Sequence, residues 1–342
     1  MKTKFPYYYR LSEDEKKQLF HDNDCYYVFD TNALLDIYRL GRASADKVID
    51  LIDKHKEHIV IPSHVATEYH ANMMDVITEL HSSYKVFLDK NDKNGILETF
   101  VNSLNLKKSP SIKRKLQIYV GEALDAFLNE IKDESEYIDE QYKSWKLQSR
   151  ISTLLGGLVL DGFTPEKIKE IEEEGEERYK KSIPPGYKDG LSKQENKYGD
   201  YIIWNEILEF AKSKENCSII FVTRDLKEDW IERSHGLICG PRLELLEEFG
   251  KVSSGKFHIC TLDSFITYAN MGSNLLNEPE LVEIREVVDS YSQNDSSVIA
   301  NKNSVSEEMS VKKVGLENIE KKCEEIQCAG GINKKKTQLN KD

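Results

Sequence analysis

Four short apolar runs constrain this chain more than any other feature: Tyr26–Phe29, Ile59–Ile61, Ser218–Val222 and Phe257–Thr261. Each is rich in β-branched or aromatic residues and is apolar almost without interruption. A strand with one wet face alternates apolar and polar residues. These do not alternate, which is the pattern of strands covered on both faces in a parallel sheet. Long segments of helical periodicity lie between them, so the chain reads as α/β. The run SIIFVT, ending at Thr223, argues against an all-helical bundle.

The chain has 342 residues, 39% of them hydrophobic. That suffices for one large α/β domain with an insertion, or for two ordinary domains. We read residues 1–23 as an N-terminal extension and 24–270 as the α/β domain. Residues from about 78 to 190 form a helical insertion, punctuated by Pro110 and the pair Gly156–Gly157. It is an insertion because the strands on either side need each other. IKEIEEEGEERYKK is a solvated helical surface, and PPGYKDGLSKQENKYGD has the proline and glycine content of a loop. After Ala269 the composition turns to Ser, Asn, Glu and Lys. Residues 271–342 are a polar tail, partly helical at Leu281–Val288 and Val314–Ile326 or disordered, with a role in homo-oligomerisation or partner docking as one use.

No apolar run approaches the roughly 20 residues of a membrane span, and the first residues lack the apolar stretch of a signal peptide. The expectation is a cytoplasmic protein with no membrane partner. The six cysteines form no CxxC pair, and the first four sit in or beside apolar runs. Reduced, buried thiols are the reading they favour. With a formal net charge of −12, bulk electrostatics do not attract nucleic acid, so a polyanionic substrate requires metal ions and local basic patches.

Acidic residues recur at the ends of these elements. In VFDTNALLDIYR, Asp30 follows a strand directly, and Thr31 and Asn32 are candidate caps for the helix beyond. In IVIPSHVATEYHANM, Ser63 reads as an N-cap and Glu68 falls in the second helical turn. In KYGDYIIWNEILEFAK, Asp200 opens an amphipathic helix. In SIIFVTRDLKEDW, Asp225 follows a strand and Thr223, with Asp229 one helical turn later. Singly, each is explained as a helix cap or a surface acid. Together, in a parallel sheet, they converge on the carboxyl edge, where α/β folds place their sites. Clustered carboxylates repel and call for a cation. Mg²⁺ or Mn²⁺ prefers such oxygens and keeps positions open for water and phosphate.

The ordered set FDTNALLDIYR, IPSHVATEYHANM, PPGYKDG, YGDYIIW and FVTRDLKEDW resembles the PIN-like nuclease domain family, in a prokaryotic PIN-like branch, over roughly residues 24–270. The resemblance implies a Rossmann-like parallel sheet and catalytic metal ligands at Asp30, Glu68, Asp200 and Asp225. Thr31 or Asn32 would orient Asp30, and Thr223 would orient the loop of Asp225. It implies a nuclease acting on RNA or DNA with Mg²⁺ or Mn²⁺, in a class that includes toxins and antiphage effectors. Asp189 and Asp229 are further metal-ligand candidates.

Arg39, Arg224 and Lys227 flank this site as candidate phosphate contacts. Lys107, Lys108, Lys113, Arg114 and Lys115 form the densest basic run before the tail, suited either to a solvated helix end or to guiding a nucleic-acid backbone. A phosphatase of the haloacid-dehalogenase class also places an Asp after a strand, but needs a second Asp two residues on, where this chain has Asn32. A catalytically silent PIN-like scaffold, binding partners or nucleic acid, is the main alternative.

Overall fold

The computed structural model describes residues 1, 8–188, 190 and 196–291. Its centre is a four-stranded parallel sheet in the order β2-β1-β3-β6, formed by β1 (Cys25–Phe29), β2 (Ile59–Val60), β3 (Ser218–Val222) and β6 (Phe257–Cys260). Tyr27 pairs with Ile59, Cys25 with Ser218 and Ile219 with Phe257. All five residues of β3 are buried, as its unbroken apolarity requires of a central strand. The four expected strands are thus present within a residue at each end. Ile61 lies just past β2 and bridges in parallel to Val159.

Helices cover both faces. Asp30 itself is the N-cap of α2 (Thr31–Asp36), accepting a hydrogen bond from the Thr31 N–H, so the cap assigned to Thr31 or Asn32 lies one residue earlier. After α3 (Arg42–Lys54), α4 runs from Ser63 to Lys90. Pro62 occupies its N-cap position without a side-chain bond, and Ser63, expected to cap, is instead the first helical residue. Because α4 is one continuous helix, no boundary falls at residue 78: the insertion grows out of the helix that carries Glu68. It continues through α5 (Lys93–Ser103), α6 (Pro110–Lys115), a π turn (Leu116–Val120), α7 (Gly121–Ser144), α8 (Lys146–Leu155) and α9 (Pro165–Lys180). Then come α10 (Gly199–Lys212), α11 (Leu243–Val252) and α12 (Leu262–Asn270), with α1 (Glu13–Leu19) near the amino end.

An antiparallel hairpin, β4 (Ile231–Ser234) and β5 (Leu237–Pro241), follows β3. Both residues of its two-residue turn, His235 and Gly236, have positive φ, 51° and 82°. This is the primed-turn geometry usually signalled by Asn-Gly. His-Gly conceals it, and the sequence reading has no strand there.

The core is one cluster, with Trp204, Trp230, Phe29 and Phe221 among its largest fully buried side chains. β3 and the approach to β6 meet at Gly255, where a Cβ would lie 2.0 Å from the Cys217 carbonyl oxygen. Beyond α12, Leu276, Ile284 and Val288 are buried in the same cluster, and Ser44 donates to Glu283 (2.8 Å). The compact unit runs to Val288, so the polar tail drawn from residue 271 begins inside it. The spacing Leu281–Val288 reflects a helix, at 278–291, with a buried face. Val314–Ile326 lies outside the described residues.

Candidate active site

Asp30 stands where β1 ends, its N–H still bonded to the Val222 carbonyl of β3 (2.9 Å). Its Oδ1 accepts from the Thr31 N–H at 2.7 Å. Its Oδ2 accepts from Asn32 Nδ2 and from the Thr223 hydroxyl, each at 2.6 Å. The same hydroxyl accepts from the Asp225 N–H at 2.9 Å, and Asn32 Oδ1 accepts from the Arg224 N–H at 2.7 Å. Thr223 and Asn32 therefore tie the ends of two neighbouring strands together and hold the Asp30 carboxylate between them. Burial pushes the Asp30 carboxyl up to about 6; the Thr223 bond opposes this, and the charges of Glu68 and Asp225 add to it. Three acids from three separate elements thus act on one another.

Glu68 reaches this point from the second turn of α4. Oε2 accepts from the Thr31 hydroxyl at 2.7 Å, Asn196 Nδ2 donates to Oε1, and His64 Nε2 is 3.6 Å from Oε1. Burial is the largest influence and raises its pKa, but the bonds from His64 and Thr31 together outweigh it and hold the carboxyl below its ordinary value. His64 shifts upward: its burial works against the charged ring, and the bond and charge of Glu68 prevail. The two shifts describe one ion pair on the first turns of α4.

Asp200 lies in the first turn of α10 and accepts from Trp230 Nε1 at 3.3 Å. The PPGYK loop packs on it. Gly186 has φ +85°, and a Cβ there would meet Asp200 Cβ at 2.9 Å. Only glycine combines that conformation with that approach. Asp225 accepts from the Lys227 N–H at 3.0 Å and pairs with Lys227 Nζ at 2.7 Å. Asp229 is fully buried. Its Oδ2 accepts from the Lys188 N–H at 3.1 Å, while Oδ1 has no hydrogen-bond partner among the described residues. Burial raises its pKa, and the charge of Asp225 adds to that. Asp189 lies outside the described residues.

The expected phosphate contacts are placed differently. Arg39 donates to Asp36 Oδ1 at 2.8 Å, and Arg224 donates to the same oxygen. Asp36 is fully buried, and both guanidinium groups are turned inward on it. They brace α2 against the loop after β3. Nothing in the local sequence distinguishes Asp36, six residues after Asp30, from a helix-surface acid. Nor does anything mark Asn196 as a partner of Glu68, since a loop residue far along the chain carries no local signal. Lys227 engages Asp225.

The donor set suits a hard divalent cation: carboxylate oxygens, mutual repulsion felt at Asp30, and a buried Asp229 oxygen without a partner. Spacing is a separate matter. Among the described residues no three His, Cys, Asp or Glu side chains stand close enough to form a ready-made metal cage. Glu68 is drawn to Thr31, His64 and Asn196, and Asp225 to Lys227.

A four-stranded parallel sheet flanked by helices, with acids of β1, α4 and the loop after β3 at its carboxyl edge, defines an α/β protein of PIN-like fold. The family model described as a PIN like domain matches residues 26–245, and the chain belongs to that family. No curated protein and no solved structure matches it.

Proposed function

We propose that the protein is a metal-dependent nuclease that hydrolyses phosphodiester bonds of RNA or DNA. The observation that carries the reading is the hydrogen-bond network linking acids of three separate elements: the Thr223 hydroxyl bonds both Asp30 and the Asp225 N–H, and Thr31, next to Asp30, bonds Glu68. Family membership supports it, since PIN-like domains are generally nucleases. Asp30, Glu68 and Asp225 would hold Mg²⁺ or Mn²⁺, with Asp200 and Asp229 completing the set. The bound ion would supply a water ionised near neutral pH and charge to stabilise the leaving oxygen.

The chain's own residues then have separate tasks. The Thr223 hydroxyl and Asn32 amide orient Asp30, and the Thr31 hydroxyl orients Glu68. Lys227, which pairs with Asp225 at 2.7 Å, would stand beside a phosphate bound at a cation on that carboxylate. The Trp230 indole and the PPGYK loop keep Asp200 from swinging into solvent. Action as a toxin or antiphage effector belongs to the same proposal and rests on the resemblance alone. No helix among the described residues is long and apolar enough to cross a membrane.

The second reading, a silent scaffold, draws on the spacing of the acids, which form no closed cage as they stand. Incubating the full chain with labelled single- and double-stranded RNA and DNA, in Mn²⁺, Mg²⁺ or EDTA, separates the two. The nuclease reading expects cleavage with metal and none in EDTA. Intact substrate under every condition supports the scaffold.

A further inference from the structure

The helical insertion carries a surface that the site does not use. Between Asn105 and Gly121 the chain has five cations, Lys107, Lys108, Lys113, Arg114 and Lys115, and no acidic residue. None of the five forms an ion pair with a described residue, and all but Lys113 are exposed. Elsewhere this chain of net charge −12 pairs its lysines freely, as Lys143 with Asp139 and Lys180 with Glu177 show. The same segment exposes apolar surface: Tyr119 is 70% exposed, and Ile112 and Ile118 are each about half exposed. These exposed apolar groups lie beside positive charge that has no ion-pair partner among the described residues. A π turn at Leu116–Val120 interrupts the helix and sets Tyr119 off from the α6 cations.

The position of this surface follows from the packing of α4 and α7. His81 of α4 pairs with Asp139 of α7 and stacks on Tyr142, whereas Phe87, further along α4, meets Phe127, earlier in α7. The two helices are therefore antiparallel, and the start of α7 lies at the far end of α4 from Glu68. Lys93, which follows α4 directly, pairs with Asp125 there. The twenty-two residue steps of α4 from Glu68 to Lys90 span about 33 Å at 1.5 Å each.

We propose that residues 107–119 are a remote binding surface for the substrate strand: a single-stranded nucleic acid whose phosphates meet the five cations and whose unstacked bases lie on Tyr119. This rests on the nuclease reading and deepens it by naming the substrate as single-stranded and long. A duplex offers phosphates but hides its base faces, whereas a single strand offers both to a cation-and-aromatic surface. At the about 3.4 Å per nucleotide of a stacked strand the distance from Glu68 to this surface is about ten nucleotides, and an unstacked, more extended strand covers it with fewer. Shorter strands engage the acids alone.

The test is binding of labelled single strands of about three and about thirty nucleotides to the full chain in EDTA, read by fluorescence anisotropy across a salt series, with cleavage in Mn²⁺ measured separately. Wild type is expected to bind the long strand at least about tenfold more tightly than the short one, and more tightly than a duplex of equal length. K113Q/R114Q/K115Q is expected to abolish that advantage and to lower the salt slope by about 2, the share of three phosphate contacts on a single strand. Y119S is expected to weaken long-strand binding without changing the salt slope. These side chains are at the surface, so both variants keep the wild-type melting temperature; K107Q/K108Q provides an independent second set. Equal binding of the long strand by wild type and all variants overturns the proposal. So does binding of phosphatidylserine vesicles through the same residues with no affinity for the long strand. Long-strand binding that needs these residues, without cleavage in Mn²⁺, would sustain the surface and refute the nuclease reading instead.

Discussion

At the residue scale, Asp30 and Asp36, at the two ends of α2, are two different kinds of acid. Asp30 is held between strand ends with its carboxyl pushed up to about 6 from an ordinary 3.8. A carboxylate with a raised folded-state pKa binds its proton more tightly folded than unfolded. Its charged form therefore costs stability, and that cost grows as pH rises from about 4 through about 6. In EDTA, Asp30→Asn is expected to be more stable than wild type above pH 6.5 by up to about 2 kcal/mol, the gain fading toward pH 4. Melting curves across pH check this, and parallel wild-type and variant curves would contradict it. Asp36 behaves in the opposite way. It is the shared counterion of Arg39 and Arg224, all three nearly inaccessible to solvent. Asp36→Asn leaves two buried guanidinium groups facing a neutral amide, and an expected loss of about 3 kcal/mol in denaturant unfolding follows. Asp30 was legible in the sequence because it directly follows an apolar strand. Asp36 was not, because its partners come from the next turn and from a loop nearly two hundred residues away.

At the element scale, the four sheet strands were legible because full burial on both faces demands unbroken apolarity, which is a local property. The hairpin β4–β5 was not: most of Glu232–Gly240 is exposed, so no burial pattern marks it, and its turn uses His-Gly. The helix at 278–291 is the instructive case. Its composition is polar, yet Ile284 and Val288 are buried in the central cluster and Lys47 pairs with Glu280 at 2.5 Å. Composition averages over a helix; burial depends on one face of it. A chain ending at Asn277 is therefore expected to lose about 3 kcal/mol or more relative to one ending at Tyr291, from two lost core side chains. Calorimetric scans of the two truncations decide it, and coincident melting temperatures would show that the helix adds nothing. Gly186→Ala drives a methyl against the Tyr179 hydroxyl and Asp200 at a positive φ and is expected to lower both the melting temperature and activity.

At the scale of the whole molecule, the sheet's parallel order brings acids from distant parts of the chain to one edge. Candidate acids widely separated in sequence stand out because each lies at or near an element end. Their partners, such as Asn196 and Trp230, do not, since only the assembled fold brings them near. The same edge accumulates repulsion that a cation relieves, so Mn²⁺ is expected to raise the melting temperature of wild type and not of Asp30→Asn. The claim tested most directly is that Asp225, with Asp30 and Glu68, holds the metal that cuts nucleic acid. The decisive measurement is the single-turnover rate of cleavage of a labelled strand in Mn²⁺ by wild type and by Asp225→Asn, purified identically and shown to share a fold by circular dichroism. The account predicts metal-dependent cleavage by wild type and a loss on the order of 10³-fold or more in the variant. Equal rates for the two proteins would contradict it.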